Sequence, residues 1–180
     1  GRACGSVANK INELLEPATI TLDEVQERMR VSILKDVGDG KAAFVPVGCR
    51  AAVHHGDLLP LERRLTESVF KSRRDTESQS LGLDVVAATS TIAQGLNLPC
   101  DVVILAGTDR SVVADPNGNP RKDLRPYEIL NALGRAGRAA YAATGLAIVV
   151  PAQPIVIDKE NLVLPHGGVL NTVFSEQDAC

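Results

Sequence analysis

The chain has 180 residues, enough for one domain of ordinary size with a real core. Hydrophobic residues make up 44% and charged residues 23%, a globular balance that excludes a disordered chain. A formal net charge of −3 excludes a uniformly basic coat but leaves room for a local basic groove, and 3% aromatics with no Trp disfavours base stacking as a binding mode.

Cys4, Cys49, Cys100 and Cys180 show no CxxC or Cys/His spacing, so no metal site is expected and reduced thiols in a cytoplasmic protein are the default. His54, His55 and His166 form no HExxH helix. No apolar run is long enough to span a membrane, and no signal-peptide pattern is present. The chain begins Gly1-Arg2-Ala3-Cys4, without Met, and runs straight into a helical pattern, which leads us to expect a fragment of a longer protein.

A helix is expected over 6–15, with Ser6 as N-cap and Val7, Ile11, Leu14 and Leu15 on one face; Glu16-Pro17 ends it. Thr21-Leu22-Asp23-Glu24 has capping-box spacing and is expected to open a second helix carrying Leu22, Val25, Met29, Ile33 and Leu34, stopped by Gly38 and Gly40. Two near-matches to nucleotide motifs fail here. Gly38-Asp39-Gly40-Lys41 approaches a phosphate-binding loop, but Lys35 stands where Gly is needed and Ala42 where Ser or Thr is needed. Asp23-Glu24 approaches an acidic Mg²⁺ box, but lies at a helix start rather than a strand end.

Residues 51–53 read as a short buried strand ending at His54-His55-Gly56-Asp57, and Pro60 opens a helix bearing Leu61, Leu65, Val69 and Phe70. Residues 71–80 are polar without periodicity and are expected to be a solvated loop. Residues 83–88, 101–105 and 145–150 are compact apolar strands of the kind buried on both faces of a parallel sheet, and 107–125 reads as a long loop. Strands alternating with helices predict an α/β fold with a parallel sheet flanked by helices. After Pro151 the pattern weakens, and 151–180 reads as a path leaving the domain.

The stretch 128–138, EILNALGRAGR, carries the most chemistry. Pro126 suits a first helical position, and Ile129, Leu130 and Leu133 give the helix a face to bury. Arg135 and Arg138, three residues apart at the end of this helix, are expected on one side of a helical turn, and the small residues around them admit a phosphate to two planar guanidiniums. A flexible Gly-Arg loop is the competing reading. Thr89-Ser90-Thr91 follows a strand, where hydroxyls and N–H groups at a helix start would meet an anion or simply cap the helix.

Three segments in order resemble the C-terminal RecA-like domain of superfamily 2 (DEAD/DEAH-related) helicases. VHHGDLLPLERR at 53–64 resembles the segment two strands before motif V, LDVVAATSTIAQGLNLP at 83–99 followed by DVVIL resembles motif V, and GRAGR at 134–138 resembles motif VI. The resemblance is best over 51–150 within a domain of 1–150, with 16–50 as a family-variable helical segment. It implies a RecA-like, P-loop NTPase-type fold lacking its first strand, and an ATP-dependent helicase or translocase acting on DNA or RNA without membrane association. Gly56, Arg63, Thr89, Ser90 and Thr91 would meet the nucleic-acid backbone; a lone Arg63 on an exposed helix could equally be only solvated. Gly95, Asn97, Asn131, Arg135 and Arg138 would meet ATP, the two arginines as fingers on the γ-phosphate. Asn97 stands where many relatives have Asp, and Asn-Leu-Pro resembles the branches that unwind long duplexes. Asn131 stands where Gln is common, one methylene shorter.

These residues contain neither a phosphate-binding loop nor an acidic box, so the resemblance implies that ATP with Mg²⁺ is completed by an N-terminal RecA-like domain, and that the chain alone is inactive. A RecA-like interaction module without turnover is the alternative. A small-molecule enzyme ranks last because no nucleophile–base constellation is present.

Overall fold

The computed structural model describes residues 2–38, 40, 42–44, 46–72, 83–89, 98, 100–107, 109–111, 121–137 and 144–150. Of the expected loop over 71–80, Lys71 and Ser72 are helical and 73–80 lie outside the described residues, as does the segment 151–180. The chain divides into two compact units, Gly1–Ile92 and Ala93–Cys180.

In the first unit, α1 (Arg2–Leu14) begins four residues before the expected N-cap, so Ser6 is a mid-helix residue. Its buried side is Cys4 and Ala8, continued by half-buried Ile11 and Leu15, whereas Val7 and Leu14 are 51% and 73% exposed. Ile11 and Leu15 thus keep to the expected face, whereas Cys4 and Ala8 take the places expected of Val7 and Leu14 against the strands. Asn12 ties α1 to β1 (Ala51–His54): its Oδ1 accepts the N–H of Arg50 at 2.8 Å and of Ala51 at 2.7 Å, and its Nδ2 donates to the Ala51 carbonyl at 3.0 Å.

The second helix, α2 (Glu24–Val37), is capped by Asp23, not Thr21. Asp23 Oδ1 accepts the Gln26 N–H at 2.8 Å and Gln26 Oε1 accepts the Asp23 N–H at 3.0 Å, a reciprocal box two residues beyond the expected one. Gln26 is buried because its Nε2 also donates to Ser68 Oγ at 3.0 Å and Ser72 Oγ at 2.8 Å, clipping α2 to α3 (Pro60–Ser72). Leu22 lies before the helix and Val25 is exposed, so Ile33 and the half-buried Met29 and Leu34 make its apolar contribution. Gly38 ends it as expected, at φ 84° with its N–H on the Leu34 carbonyl at 2.9 Å. Ile20, Ile33, Phe44, Ala52, Leu65, Val69 and Leu83 form the core of this unit.

β1 pairs in parallel with β2 (Val85–Ala88), from Ala51↔Val85 to His54↔Ala88. The pair is fastened at both ends. At its entry Arg50 pairs with Asp84, and the Arg50 carbonyl accepts the N–H of Asp84 at 2.9 Å. At its exit the Thr89 N–H donates to the His54 carbonyl at 3.2 Å.

In the second unit, β3 (Val102–Ala106) pairs in parallel with β6 (Leu146–Val150), and α4 (Pro126–Leu133) packs on β3. Leu124 and Ile129 are buried there with Leu105, Leu133 and Val149 around them. The stretch 107–125 is not wholly a loop: β4 (Asp109–Ser111) and β5 (Arg121–Asp123) form an antiparallel pair.

The strands expected to be buried on both faces are not. β2 is half-buried throughout, and in β3 Val102, Ile104 and Ala106 are exposed while Val103 and Leu105 turn inward. Register sets Val102 beside Leu146 and Ile104 beside Ile148, all exposed, so this pair has one packed and one open face. Continuous apolar runs could not distinguish the two cases, because the outward positions are as apolar as the inward ones. The class is α/β with parallel pairing, one parallel pair in each unit among the described residues.

Candidate functional site

In open parallel sheets ligands gather beyond the carboxyl ends of the strands. At that edge of the first unit β1 leaves His54 and turns through His55 to Leu58, whose N–H donates to the His55 carbonyl at 3.3 Å. The chain then enters α3. Buried Glu62 fixes this entry: one carboxylate oxygen accepts the Leu59 N–H and the other the Ala43 N–H, both at 3.0 Å. Arg63 follows in the first turn, its N–H on the Leu59 carbonyl at 3.1 Å and its side chain half-buried. Thr89 stands one residue beyond β2.

Gly56, Thr89 and the start of α3 with Arg63 are thus gathered at the carboxyl edge of the β1–β2 pair. Gly56 is exposed and a Cβ there would meet nothing within 4 Å, so its backbone can be approached closely. One expectation needs correcting. The Thr89 N–H is committed to the His54 carbonyl as the last rung of the parallel ladder, so this N–H is not offered to an anion. Ser90 and Thr91 lie outside the described residues.

Sequence reasoning treated His54 as a polar strand-end group and did not single out Glu67. The structure joins them: His54 is 4% exposed, and its Nε2 lies 2.8 Å from Glu67 Oε1 on α3. A carboxylate only accepts, so the ring donates from Nε2. His54 Nδ1 is buried and has no hydrogen-bond partner among the described residues, and the same holds for His55 Nδ1 and Thr66 Oγ1. His55 Nδ1 is 3.6 Å from Asp57 Oδ2, too long for a hydrogen bond.

In the second unit Pro126 takes the first turn of α4 as expected, and Glu128 Oε2 accepts the Arg125 N–H at 2.9 Å. The helix does not reach Arg135. It ends at Leu133, with the Gly134 N–H on the Leu130 carbonyl at 2.8 Å, and Arg135 lies beyond it. Gly134 is its C-cap, and Gly137 further on is left-handed at φ 64°, a conformation that an α-helix does not contain.

A short backbone ladder holds the loop instead. The Arg135 carbonyl accepts the Cys100 N–H at 3.5 Å and the Cys100 thiol at 3.4 Å, and the Gly137 N–H donates to the Cys100 carbonyl at 2.9 Å. Asn131 is exposed in the last turn of α4 and Arg135 is half-buried. Gly95, Asn97 and Arg138 lie outside the described residues. Residues 129–138 hold two guanidiniums, an amide and no carboxylate, so the donors present suit a polyphosphate.

Residues 12–140 match the family described as the helicase conserved C-terminal domain. Among relatives, the chain is 38% identical over 99 residues to the antiviral helicase SKI2 of Saccharomyces cerevisiae, covering 55% of this chain and 7% of that protein. It is 35% identical over 97 residues to the RQC trigger complex helicase SLH1 of the same yeast, covering 54% of this chain and 4% of that protein. With the DExH-box ATP-dependent RNA helicase DExH12 of Arabidopsis thaliana it shares 29% over 143 residues, covering 78% of this chain and 6% of that protein. The chain therefore spans only 4–7% of the length of these relatives. A solved structure of the C-terminal domain of the DEAD-box protein Dbp5 aligns at 19% identity with a TM-score of 0.42, over 100% of this chain and 81% of that chain. The family resemblance read from the motifs at 53–64, 83–99 and 134–138 is borne out by the family match.

Proposed function

The chain belongs to the helicase conserved C-terminal domain family, and on that premise we propose that it works as the second RecA-like domain of an ATP-dependent RNA helicase or translocase. The observation that carries the reading is the gathering of Gly56, Thr89 and the Arg63 turn at one carboxyl edge of a parallel pair. Phosphate oxygens would be met there by the Gly56 backbone, the Thr89 hydroxyl and the Arg63 guanidinium, with Ser90 and Thr91 next along the chain. Such contacts position the strand without reading its bases. RNA rather than DNA is favoured by the names of the relatives, which include an ATP-dependent RNA helicase.

The arginine loop is the second working part. Arg135 and Arg138 would hold the γ-phosphate, with Asn131, Asn97 and the backbone at Gly95 around the nucleotide. Bound ATP supplies the phosphoryl group whose hydrolysis drives the cycle, and the loop's task is to place guanidiniums where negative charge develops. The triphosphate cradle and the Mg²⁺ ligands are absent from these 180 residues, so a partner RecA-like domain provides them, in a cytoplasmic protein by its thiol usage. An interaction module without turnover is favoured only by Asn131 in place of Gln.

The test uses the full-length protein and mixed-sequence single-stranded RNA. Thr89→Ala and Arg63→Ala should each weaken binding about tenfold or more, equally across sequences, since hydrogen bonds to charged groups are worth about 1.5–3 kcal/mol. Binding that is unchanged at low salt, or lost for some sequences only, would sink the reading. RNA-stimulated ATP hydrolysis by the same protein excludes the module without turnover.

A further inference from the structure

We infer that His54 and Glu67 are positioning residues that set Thr89 and Arg63 at a fixed separation across the nucleic-acid edge. The inference rests on the reading that these two residues meet phosphate.

Thr89 and Arg63 ride on different elements, the end of β2 and the first turn of α3. Something must hold those elements in register where the strand is bound. Glu67 is four residues after Arg63, on the same side of α3 one turn further along. Its carboxylate takes the His54 Nε2 hydrogen at 2.8 Å, and the His54 main-chain carbonyl takes the Thr89 N–H at 3.2 Å. One residue, His54, therefore connects α3 to Thr89 through two hydrogen bonds, one from its side chain and one to its backbone. His54 is buried, and the Glu67 side chain is only 16% exposed, so water competes weakly for the contact.

The orphaned nitrogen points the same way. His54 Nδ1 is buried without a partner among the described residues, an arrangement that costs free energy and calls for a reason. A ring whose only satisfied nitrogen faces Glu67 is held for that contact. If the pair is broken, the β1 end and the α3 turn shift independently, and the two phosphate contacts no longer fit one backbone at once.

The full-length protein and single-stranded RNA of mixed sequence again provide the test. Glu67→Met keeps side-chain length and helix preference while removing the acceptor. It should weaken RNA binding about tenfold at a temperature where all variants are folded. In a Thr89→Ala background it should weaken binding no further, because the contact it positions is already gone. His54→Gln, which retains a terminal N–H donor, should recover most of the affinity that His54→Phe loses; if His54→Phe does not fold, the Glu67→Met and Thr89→Ala cycle decides alone. Glu67→Met with wild-type affinity, or losses that add in the double variant, would overturn the inference while leaving the Thr89 contact standing. A silent Thr89→Ala would instead remove the nucleic-acid reading of this edge, and the inference with it.

Discussion

Gly137 and Gly145 meet backbone to backbone: a Cβ built on Gly137 would stand 2.6 Å from the Gly145 Cα. The approach is possible only because neither residue has a side chain. It presses the loop after α4 against the segment that enters β6, which begins at Leu146. Two demands fall on Gly137 at once, since it is also left-handed at φ 64°.

Gly137→Ala should therefore loosen the arginine loop. Overlap with the Gly145 backbone and the left-handed penalty together amount to about 2–4 kcal/mol. Amide exchange at residue 137, whose N–H is held by the Cys100 carbonyl, should accelerate about 30-fold or more, and ATP turnover of the full-length protein should fall with it. Gly56→Ala is the control: a Cβ there meets open space, and the cost should stay within about 0.5 kcal/mol. Equal exchange in wild type and Gly137→Ala would show that the close approach is not maintained in solution.

Asn12→Ala probes the other unit. The side chain supplies an acceptor for two N–H groups, of Arg50 and Ala51, and a donor for the Ala51 carbonyl. Removing it strands three backbone groups at the head of β1, at about 2–3 kcal/mol after part of the loss is made good by water. Urea unfolding followed by amide exchange in β1 measures this. Asn9→Ala, an exposed position on the same helix, should change stability by no more than about 0.5 kcal/mol. If both substitutions cost the same, the Asn12 clamp does not act as described.

Asn12 also shows where the sequence stops being legible. The helix around it could be anticipated from apolar spacing, but a polar side chain that fastens a helix to a strand 39 residues away leaves no local pattern. His54 and Glu67 fall under the same limit, since their pairing depends on how α3 crosses β1. What could be read was local or modular: Pro60 and Pro126 at helix starts, Gly38 at a helix end, and the ordered motifs that gave the family. Thr21 was preferred to Asp23 as a cap because a Thr-x-x-Glu spacing is as good a signal as Asp-x-x-Gln. Arg135 was expected on the helix, but 3.6-residue spacing holds only while the helix lasts, and α4 ends at Leu133.

The final prediction is for Arg138→Lys in the full-length protein. Lysine keeps the charge but loses the planar fork that can hold two phosphate oxygens, and its ammonium is harder to strip of water in a closing cleft. An arginine that acts mainly on the transition state should then lose turnover while ATP binding changes little. The expected loss in kcat is on the order of 10²-fold or more, within the range of arginine-finger contributions. The competing explanation is a cation near the carboxyl end of the helix, worth about 0.3–1 kcal/mol and equally well supplied by lysine. A small fall in melting temperature with normal hydrolysis would favour that explanation over the finger role. Steady-state ATPase rates beside nucleotide affinity make the measurement. Near wild-type turnover in Arg138→Lys would transfer the finger role to Arg135, whose carbonyl is anchored by Cys100, or end it.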